Sequence, residues 1–190
     1  MSHFIIGIAG PPRHGKSTAS HMLSSFGFHP DTFAAPMSQF VSSLLGLTHA
    51  ELEACKDIVH PLFNKTPRYM LQTLGTEWGR QLIDPDFWVK SLLLRNQHRS
   101  HLSICGVRFP NEAALVRHYG FLIHVYNPRV TPIPDSHHVA ETPVPRLPDD
   151  HVIVNDGTLD ELYEKLYRLV SPHIELPSDS SFQLSACPSH

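Results

Sequence analysis

Apolar residues fall into two repeating patterns along the chain, one typical of strands and one typical of helices. The strand-like segments are short apolar runs, and they cover residues 4–9, 31–34, 101–107, 121–126 and 151–154. The helical segments carry apolar residues three or four positions apart, and they cover residues 16–26, 37–46, 68–80, 86–95, 110–119 and 158–170. Strands that alternate with helices predict an α/β/α fold of three layers, with a central parallel sheet.

Cap residues mark the ends of several predicted helices. Thr48 stands three residues before Glu51, and Thr158 stands three residues before Glu161, so each pair predicts a capping box. Gly120 follows the helix over 110–119 and is expected to end it. In the predicted sheet, ligands are expected beyond the carboxyl ends of the strands.

Composition and charge narrow the class of protein. The 190 residues carry a formal net charge of −3, so no broad basic field is present and a stable nucleic-acid partner is not expected. Cys55, Cys105 and Cys187 lack the spacing of a zinc site or a disulfide framework, which favours a reducing compartment. No apolar segment is long enough to cross a membrane, so a cytoplasmic protein is expected.

The predicted organisation is a single domain over residues 1–170. Residues 127–149 are rich in proline and are expected to form a loop or lid. Residues 171–190 are rich in serine and proline and are expected to be partly disordered. The helices within residues 37–54 are the candidate face of a homodimer.

The motif that carries most chemistry lies between the first strand and the first helix. Residues 10–17 read G-x-x-x-x-G-K-S, the phosphate-binding P-loop. Gly10 and Gly15 allow a tight turn whose N–H groups face an anion, Lys16 is expected to reach the β- and γ-phosphates, and Ser17 is expected to bind Mg²⁺. The motif predicts ATP and Mg²⁺ as cofactors. The other candidate ATP-binding residues of this segment are Arg13, His14 and Thr18.

Arginines in the predicted loops point to the kind of reaction. Transfer of a phosphoryl group between two anionic substrates requires several cations, because charge accumulates around the transferred group. The chain is short for a motor protein and has no N-K-x-D motif for reading guanine, which favours a small-molecule kinase. The candidate arginines are Arg13, Arg68, Arg80, Arg108 and Arg129.

Three later segments resemble motifs of one enzyme family. They are Thr66–Arg80 with Asp84–Trp88, Val107–Ala113 and Asn155–Leu162, and with the P-loop they resemble phage deoxynucleoside monophosphate kinases in the same order. The resemblance covers about residues 4–170. It implies a P-loop NTPase fold like that of nucleoside monophosphate kinases, with a helical acceptor-binding region over 35–98 and a lid over 127–149. The implied reaction converts ATP and a deoxynucleoside monophosphate into ADP and the diphosphate.

The resemblance also implies roles for individual side chains. Arg68 would clamp the acceptor phosphate, and Gln72 would face the acceptor base, because its amide both donates and accepts hydrogen bonds. Arg80 and Arg108 would neutralise phosphate oxygens around the transferred group. Arg129 would act from the lid.

Three further residues complete the implied nucleotide site. Asn155 would lie near the adenine of the donor, and Trp88 or Phe33 would stack on the acceptor base. Trp88 has an alternative interpretation as a core residue, because tryptophan is highly buried on average. Arg80 also has an alternative, an ion pair with Glu77 on its own helix.

Two positions depart from the family pattern. The family usually has an aspartate where this chain has Gly106, and another where it has Ala35. Asp31 is the candidate substitute, as a partner of an acceptor hydroxyl or as a base. Two alternative functions therefore remain, a P-loop kinase acting on a modified base or hydroxyl in DNA, and a nucleotide-binding protein with weakened catalysis.

Overall fold

Five parallel strands form one sheet in the computed structural model, which describes residues 3–131 and 144–174. The strands are β1 Phe4–Ala9, β2 His29–Asp31, β3 His101–Cys105, β4 Gly120–Tyr126 and β5 His151–Val154. Their spatial order is β2-β3-β1-β4-β5, and each neighbouring pair is parallel. β1 therefore lies at the centre, and all carboxyl ends meet at one edge of the sheet.

Helices connect the strands and cover both faces of the sheet. The α-helices are α1 Lys16–Ser24, α2 Ala35–Leu45, α3 His49–Cys55, α4 Pro67–Thr73, α5 Phe87–Arg95, α6 Pro110–Tyr119 and α7 Leu159–Val170. A π-helical segment, Leu74–Ile83, continues α4, and a 3₁₀ turn, Ser171–His173, follows α7.

The side chains of β1 divide between two apolar cores. Ile5 packs with Trp88 and Leu92 of α5 on one face, whereas Ile6 packs with Leu23 of α1 on the other. Because successive side chains of a strand point to opposite faces, one buried strand supplies both cores. The three-layer α/β/α fold expected from the sequence is confirmed.

Both predicted capping boxes are present. The Thr48 hydroxyl accepts the N–H of Glu51, and the Glu51 carboxylate accepts the N–H of Thr48 at 2.7 Å. Thr158 and Glu161 form the same reciprocal pair at the start of α7. These contacts satisfy N–H groups that the first helical turn leaves without partners.

Two elements differ most from the sequence prediction, while other elements differ by one or two residues at their ends. β2 occupies residues 29–31 rather than 31–34. The helix expected over 68–80 widens at Leu74 into the π-helical segment. The Gly75 carbonyl accepts hydrogen bonds from Trp88 Nε1 and Arg80 Nη1, at 2.8 and 2.7 Å, and these donors compete with the backbone N–H of an ordinary helical turn.

The segment that returns to β5 is anchored by Asp150. Its buried carboxylate accepts hydrogen bonds from Arg117 of α6, His124 of β4 and the N–H of Leu147. Residues 132–143 of the predicted lid and residues 175–190 of the predicted tail lie outside the described residues. None of the helices that the structure describes has the length and apolar character needed to cross a bilayer.

Candidate active site

The P-loop runs from the carboxyl end of β1 to the start of α1 and has a left-handed backbone at three positions. The φ angles are 138° at Gly10, 67° at Arg13 and 98° at Gly15. A Cβ atom on Gly10 would lie 2.3 Å from the Val125 carbonyl oxygen, and one on Gly15 would lie 2.3 Å from Asn155 Nδ2. Both glycines are therefore required by close contact as well as by conformation.

Two neighbouring loops hold the P-loop through His14. The N–H of Asn127 donates to His14 Nδ1 at 2.8 Å, and Asn155 Nδ2 donates to the His14 carbonyl oxygen at 3.1 Å. Burial and the nearby Lys16 ammonium lower the pKa of His14, which keeps the ring neutral so that Nδ1 can accept. His14 thus has a structural role within the loop, and its predicted contact with ATP stays a prediction.

Lys16 folds back over the loop. Its ammonium donates to the Pro11 carbonyl oxygen at 2.6 Å. Burial is the main cause that lowers the pKa of Lys16, Cys105 opposes the shift, and the positive charge of Arg108 adds to it. The positive charge of Arg108 thus acts on Lys16 from the loop that follows β3.

Ser17 and Thr18 are exposed at the first turn of α1. Burial raises the pKa of the Cys105 thiol at the end of β3, and the neighbouring Ser17 hydroxyl opposes this shift. Cys105 is thus a neutral neighbour of the predicted Mg²⁺ ligand. The next residue, Gly106, has a φ of 77° and open space where a side chain would extend.

A buried ion pair joins the π-helical segment to the loop after β3. Arg80 Nη2 lies 2.6 Å from Glu112 Oε1, and the exposed fractions of these side chains are 12% and 3%. Glu112 Oε2 also accepts the N–H groups of Arg108 and Phe109, at 2.9 and 3.1 Å. The alternative pairing of Arg80 with Glu77 is therefore wrong, because the charge partner of Arg80 is Glu112.

No pattern along the chain indicates the Arg80–Glu112 pair. The two residues are separated by 32 positions, and the place of Glu112 in the sequence predicts only a residue that favours the first turn of its helix. Arg108 itself is exposed beside this pair. Its predicted contact with phosphate stays a prediction.

Asp31 is already engaged by three donors. Its Oδ2 atom accepts hydrogen bonds from Arg95 Nη2 at 3.0 Å and from Asn96 Nδ2 at 2.6 Å, and Oδ1 accepts the N–H of Thr32 at 2.7 Å. These bonds tie β2 to the end of α5. The geometry favours a structural role for Asp31 over the predicted role as a base.

The predicted acceptor residues fall into two groups. Arg68 forms a bidentate ion pair with Asp57, and it lies on α4 with Gln72. Phe33 and Trp88 are 3% and 4% exposed and belong to the apolar core. The core interpretation of Trp88 is confirmed, and neither ring offers an exposed face for stacking on a base.

Arg129 and Asn155 lie beyond the ends of β4 and β5, on the opposite side of β1 from β2 and β3. Arg129 is exposed, and its N–H donates to the side chain of Asn127 at 2.9 Å. Asn155 follows β5, where its N–H donates to the Tyr126 carbonyl oxygen at 2.7 Å. Arg13 is also exposed. The structure thus brings Asn155 to the P-loop, whereas the side chains of Arg13 and Arg129 are exposed.

A cleft of about 640 Å³ opens between α1, α2 and the ends of β2 and β3. This volume lies within the range of small-molecule sites. The Ser42 hydroxyl is buried beside the cleft without a hydrogen-bond partner among the described residues. The lining residues are Ser20, Pro30, Asp31, Thr32, Ala35, Ser38, Gln39, Ser42, Ser43, Leu47, His49 and Cys105.

Comparison with known proteins decides the family. Residues 37–166, more than half of the chain, match the sequence family described as deoxynucleotide monophosphate kinase. The chain belongs to the deoxynucleotide monophosphate kinase family. Membership confirms the resemblance seen in the sequence and identifies the chain as a nucleotide kinase, a phosphotransferase.

Similar proteins come from viruses. A provisionally named deoxynucleotide monophosphate kinase of Acanthamoeba polyphaga mimivirus is 28% identical over 87% of this kinase and 95% of its own length. The deoxynucleoside-5'-monophosphate kinase of Escherichia phage T5 is 31% identical over 58% of this chain and 48% of its own. The matched region therefore spans about half of the phage enzyme.

The fold of the kinase also resembles a solved structure. TT1252 from Thermus thermophilus matches with a TM-score of 0.53 over 92% of this chain and 100% of its own, at 16% sequence identity. At this identity the likeness supports the fold alone.

Proposed function

We propose that this kinase transfers the γ-phosphate of ATP to a deoxynucleoside monophosphate and releases ADP and the diphosphate. The observation that carries the proposal is the P-loop at the carboxyl end of the central strand, with Lys16 folded over it, in a chain of this family. Cations at fixed positions around the transferred group are the main catalytic device of such reactions.

The donor site is proposed to be the P-loop together with the turn after β5. Backbone N–H groups from Arg13 to Thr18 and the Lys16 ammonium would hold the triphosphate, helped by the positive end of α1. Asn155 lies against this loop through its bond to His14. The adenine is therefore proposed to bind near Asn155, and Arg129 to approach from the segment after β4.

Mg²⁺ is proposed to enter the site with ATP. Among the described residues, no group of three His, Cys, Asp or Glu side chains is placed to hold a metal ion. Ser17 is the protein ligand that fits, since Mg²⁺ commonly keeps several waters and takes its other ligands from substrate phosphates. Its chemistry would be neutralisation of charge on the phosphate oxygens.

The acceptor is proposed to bind on the side of α2 and α4. Arg68 and Gln72 remain the proposed ligands of its phosphate and base. The cleft between α1 and α2 has room for a nucleotide, and it reaches α1 at Ser20 and the end of β3 at Cys105. A cytoplasmic location, a homodimer and the lack of a stable nucleic-acid partner stay predictions.

The test replaces the P-loop lysine. Lys16→Ala is expected to lower phosphate transfer at least a hundredfold, because a cation at the transferred group is lost. The measurement is ADP release in a coupled assay over a panel of deoxynucleoside monophosphates and one oligonucleotide. Lys90→Ala, which alters an exposed lysine of α5, is the matched control.

Three outcomes would contradict the proposal. Full activity of Lys16→Ala would remove the P-loop from the reaction. Transfer to the oligonucleotide alone would identify a kinase acting on DNA. Tight ATP binding by the unaltered chain without transfer to any acceptor would identify a nucleotide-binding protein.

A further inference from the structure

The Glu112 carboxylate connects two parts of the site that are distant in sequence. One oxygen binds Arg80 of the π-helical segment, and the other accepts the N–H groups of Arg108 and Phe109. The side chain is almost completely buried. One carboxylate therefore fixes both the acceptor-side helical region and the loop that carries Arg108.

Several contacts besides the ion pair with Glu112 hold the Arg80 side chain in place. Besides its bond to Glu112, Nη1 donates to the Gly75 carbonyl oxygen at 2.7 Å. Its guanidinium also lies 3.6 Å from the centre of the Phe109 ring. Contact between Arg80 and a phosphate would require this buried arrangement to break, so its charge serves the protein rather than the substrate in this conformation.

The other end of the same loop is fixed to the central strand. The N–H groups of Gly106 and Val107 both donate to the Ile8 carbonyl oxygen, at 2.9 and 3.1 Å. Arg108 follows directly, and its charge acts on Lys16. The loop 106–109 is thus attached to β1 on one side of Arg108 and to Glu112 on the other.

We propose that Glu112 and Arg80 are positioning residues that hold loop 106–109, so that Arg108 presents its charge to the phosphoryl group transferred at the P-loop. The identity of that group rests on the proposed function, whereas the mechanical link between Glu112 and Arg108 does not. Arg80 then acts through Glu112 and makes no contact with substrate.

The decisive variant is Glu112→Gln. Its amide oxygen can still accept the N–H groups of Arg108 and Phe109, but the charge that holds Arg80 is lost. The value of kcat is expected to fall about tenfold to a hundredfold, because small displacements of a catalytic group have effects of this size. Glu77→Gln, at an exposed carboxylate of the same π-helical segment, is expected to leave kcat unchanged.

A double-mutant cycle with Arg108→Ala separates positioning from general destabilisation. If Glu112 acts through Arg108, Glu112→Gln lowers kcat less than about threefold once Arg108 is absent. A further loss of tenfold or more in the Arg108→Ala background would overturn the inference. If Glu112→Gln alone unfolds, the double variant Arg80→Met/Glu112→Gln replaces it in the cycle, because removing both buried charges leaves neither without a partner.

A binding measurement keeps this test independent of the acceptor. The affinity for ADP with aluminium fluoride and Mg²⁺, which fill the place of the transferred group, is compared with the affinity for ADP and Mg²⁺ alone. The gain from aluminium fluoride is expected to shrink in Glu112→Gln and in Arg108→Ala equally. An undiminished gain in Glu112→Gln would overturn the inference, whereas failure to phosphorylate any monophosphate would overturn only the proposed function.

Discussion

Gly15 shows how much one residue contributes to the proposed donor site. Its left-handed φ turns the backbone into α1, and its missing side chain admits the Asn155 amide. That amide in turn bonds to the His14 carbonyl oxygen. Conformation and close packing thus both require glycine at this position. The two effects can be separated by comparison with a glycine that has a positive φ but no close contact.

Gly15→Ala is expected to lower the affinity for ATP at least about tenfold and the free energy of unfolding by about 2–3 kcal/mol, since strain and overpacking add. Gly27→Ala is the control, because Gly27 also has a positive φ but no atom lies within 4 Å of the place where its Cβ would stand. It is expected to cost about 1 kcal/mol and to leave ATP affinity unchanged. Calorimetric titration measures the ATP affinity, and urea unfolding measures the free energy of unfolding. Equal ATP affinities of Gly15→Ala and Gly27→Ala would contradict the prediction.

At the scale of elements, the π-helical segment is held in place by packing against its neighbours. It places two glycines against bulky neighbours, Gly75 beside Met37 and Gly79 beside Trp88. Its Gly75 carbonyl accepts the indole N–H of Trp88. The segment is therefore fixed by α2 and α5 rather than by its own helical propensity.

Gly79→Ala tests this packing. A Cβ atom would lie 2.5 Å from Trp88 Nε1, so the indole must shift and its bond to Gly75 is expected to break. The free energy of unfolding is expected to fall by about 2–3 kcal/mol. Urea unfolding in a Trp78→Phe background follows Trp88 fluorescence alone. Gly46→Ala, at a position with open space but a left-handed φ of 66°, is the control and is expected to cost about 1 kcal/mol from backbone strain alone. An equal loss in both variants would argue against the packing effect.

The elements that the sequence predicted well are those that local interactions determine. Thr48 and Thr158 have their cap partners three residues away, and the apolar run of β1 needs no distant information. The partners of Arg80 and Asp31 lie 32 and about 65 positions away. These pairings depend on how α5 and α6 pack on the sheet, and no periodicity along the chain reports that packing. The P-loop was predictable because its chemistry lies in consecutive residues.

At the scale of the whole molecule, Asp150 ties together three separate elements near β5. Burial alone raises the pKa of its carboxyl, but hydrogen bonds from Arg117, Leu147 and His124 outweigh burial and hold this pKa well below its usual range. The ionised carboxylate therefore stabilises the fold. Because the folded-state pKa is lowered, this contribution is complete above the pKa of an unfolded aspartate and is lost as the pH falls below it.

Asp150→Asn is expected to lower the free energy of unfolding by about 2–3 kcal/mol at pH 7, because the partly buried Arg117 loses its charge partner. The difference from the unaltered chain should shrink as the pH falls below about 4, where an unfolded aspartate becomes protonated. Urea unfolding of both proteins between pH 3 and pH 7 measures this difference in the free energy of unfolding. Asp149→Asn, at the exposed neighbouring residue, is the control. A pH-independent difference for Asp150→Asn would contradict the explanation.

The position of β1 in the middle of the sheet has a consequence for synthesis. Its two pairing partners begin only at His101 and Gly120. At ordinary ribosomal speed, β1 waits roughly 5 to 20 s before either partner has been made. During that interval both edges of the apolar strand β1 are unpaired, and unpaired edges favour association with other chains. The segment that carries the phosphate loop is thus translated well before its two neighbours in the sheet, and β1 must avoid aggregation until they pair with it.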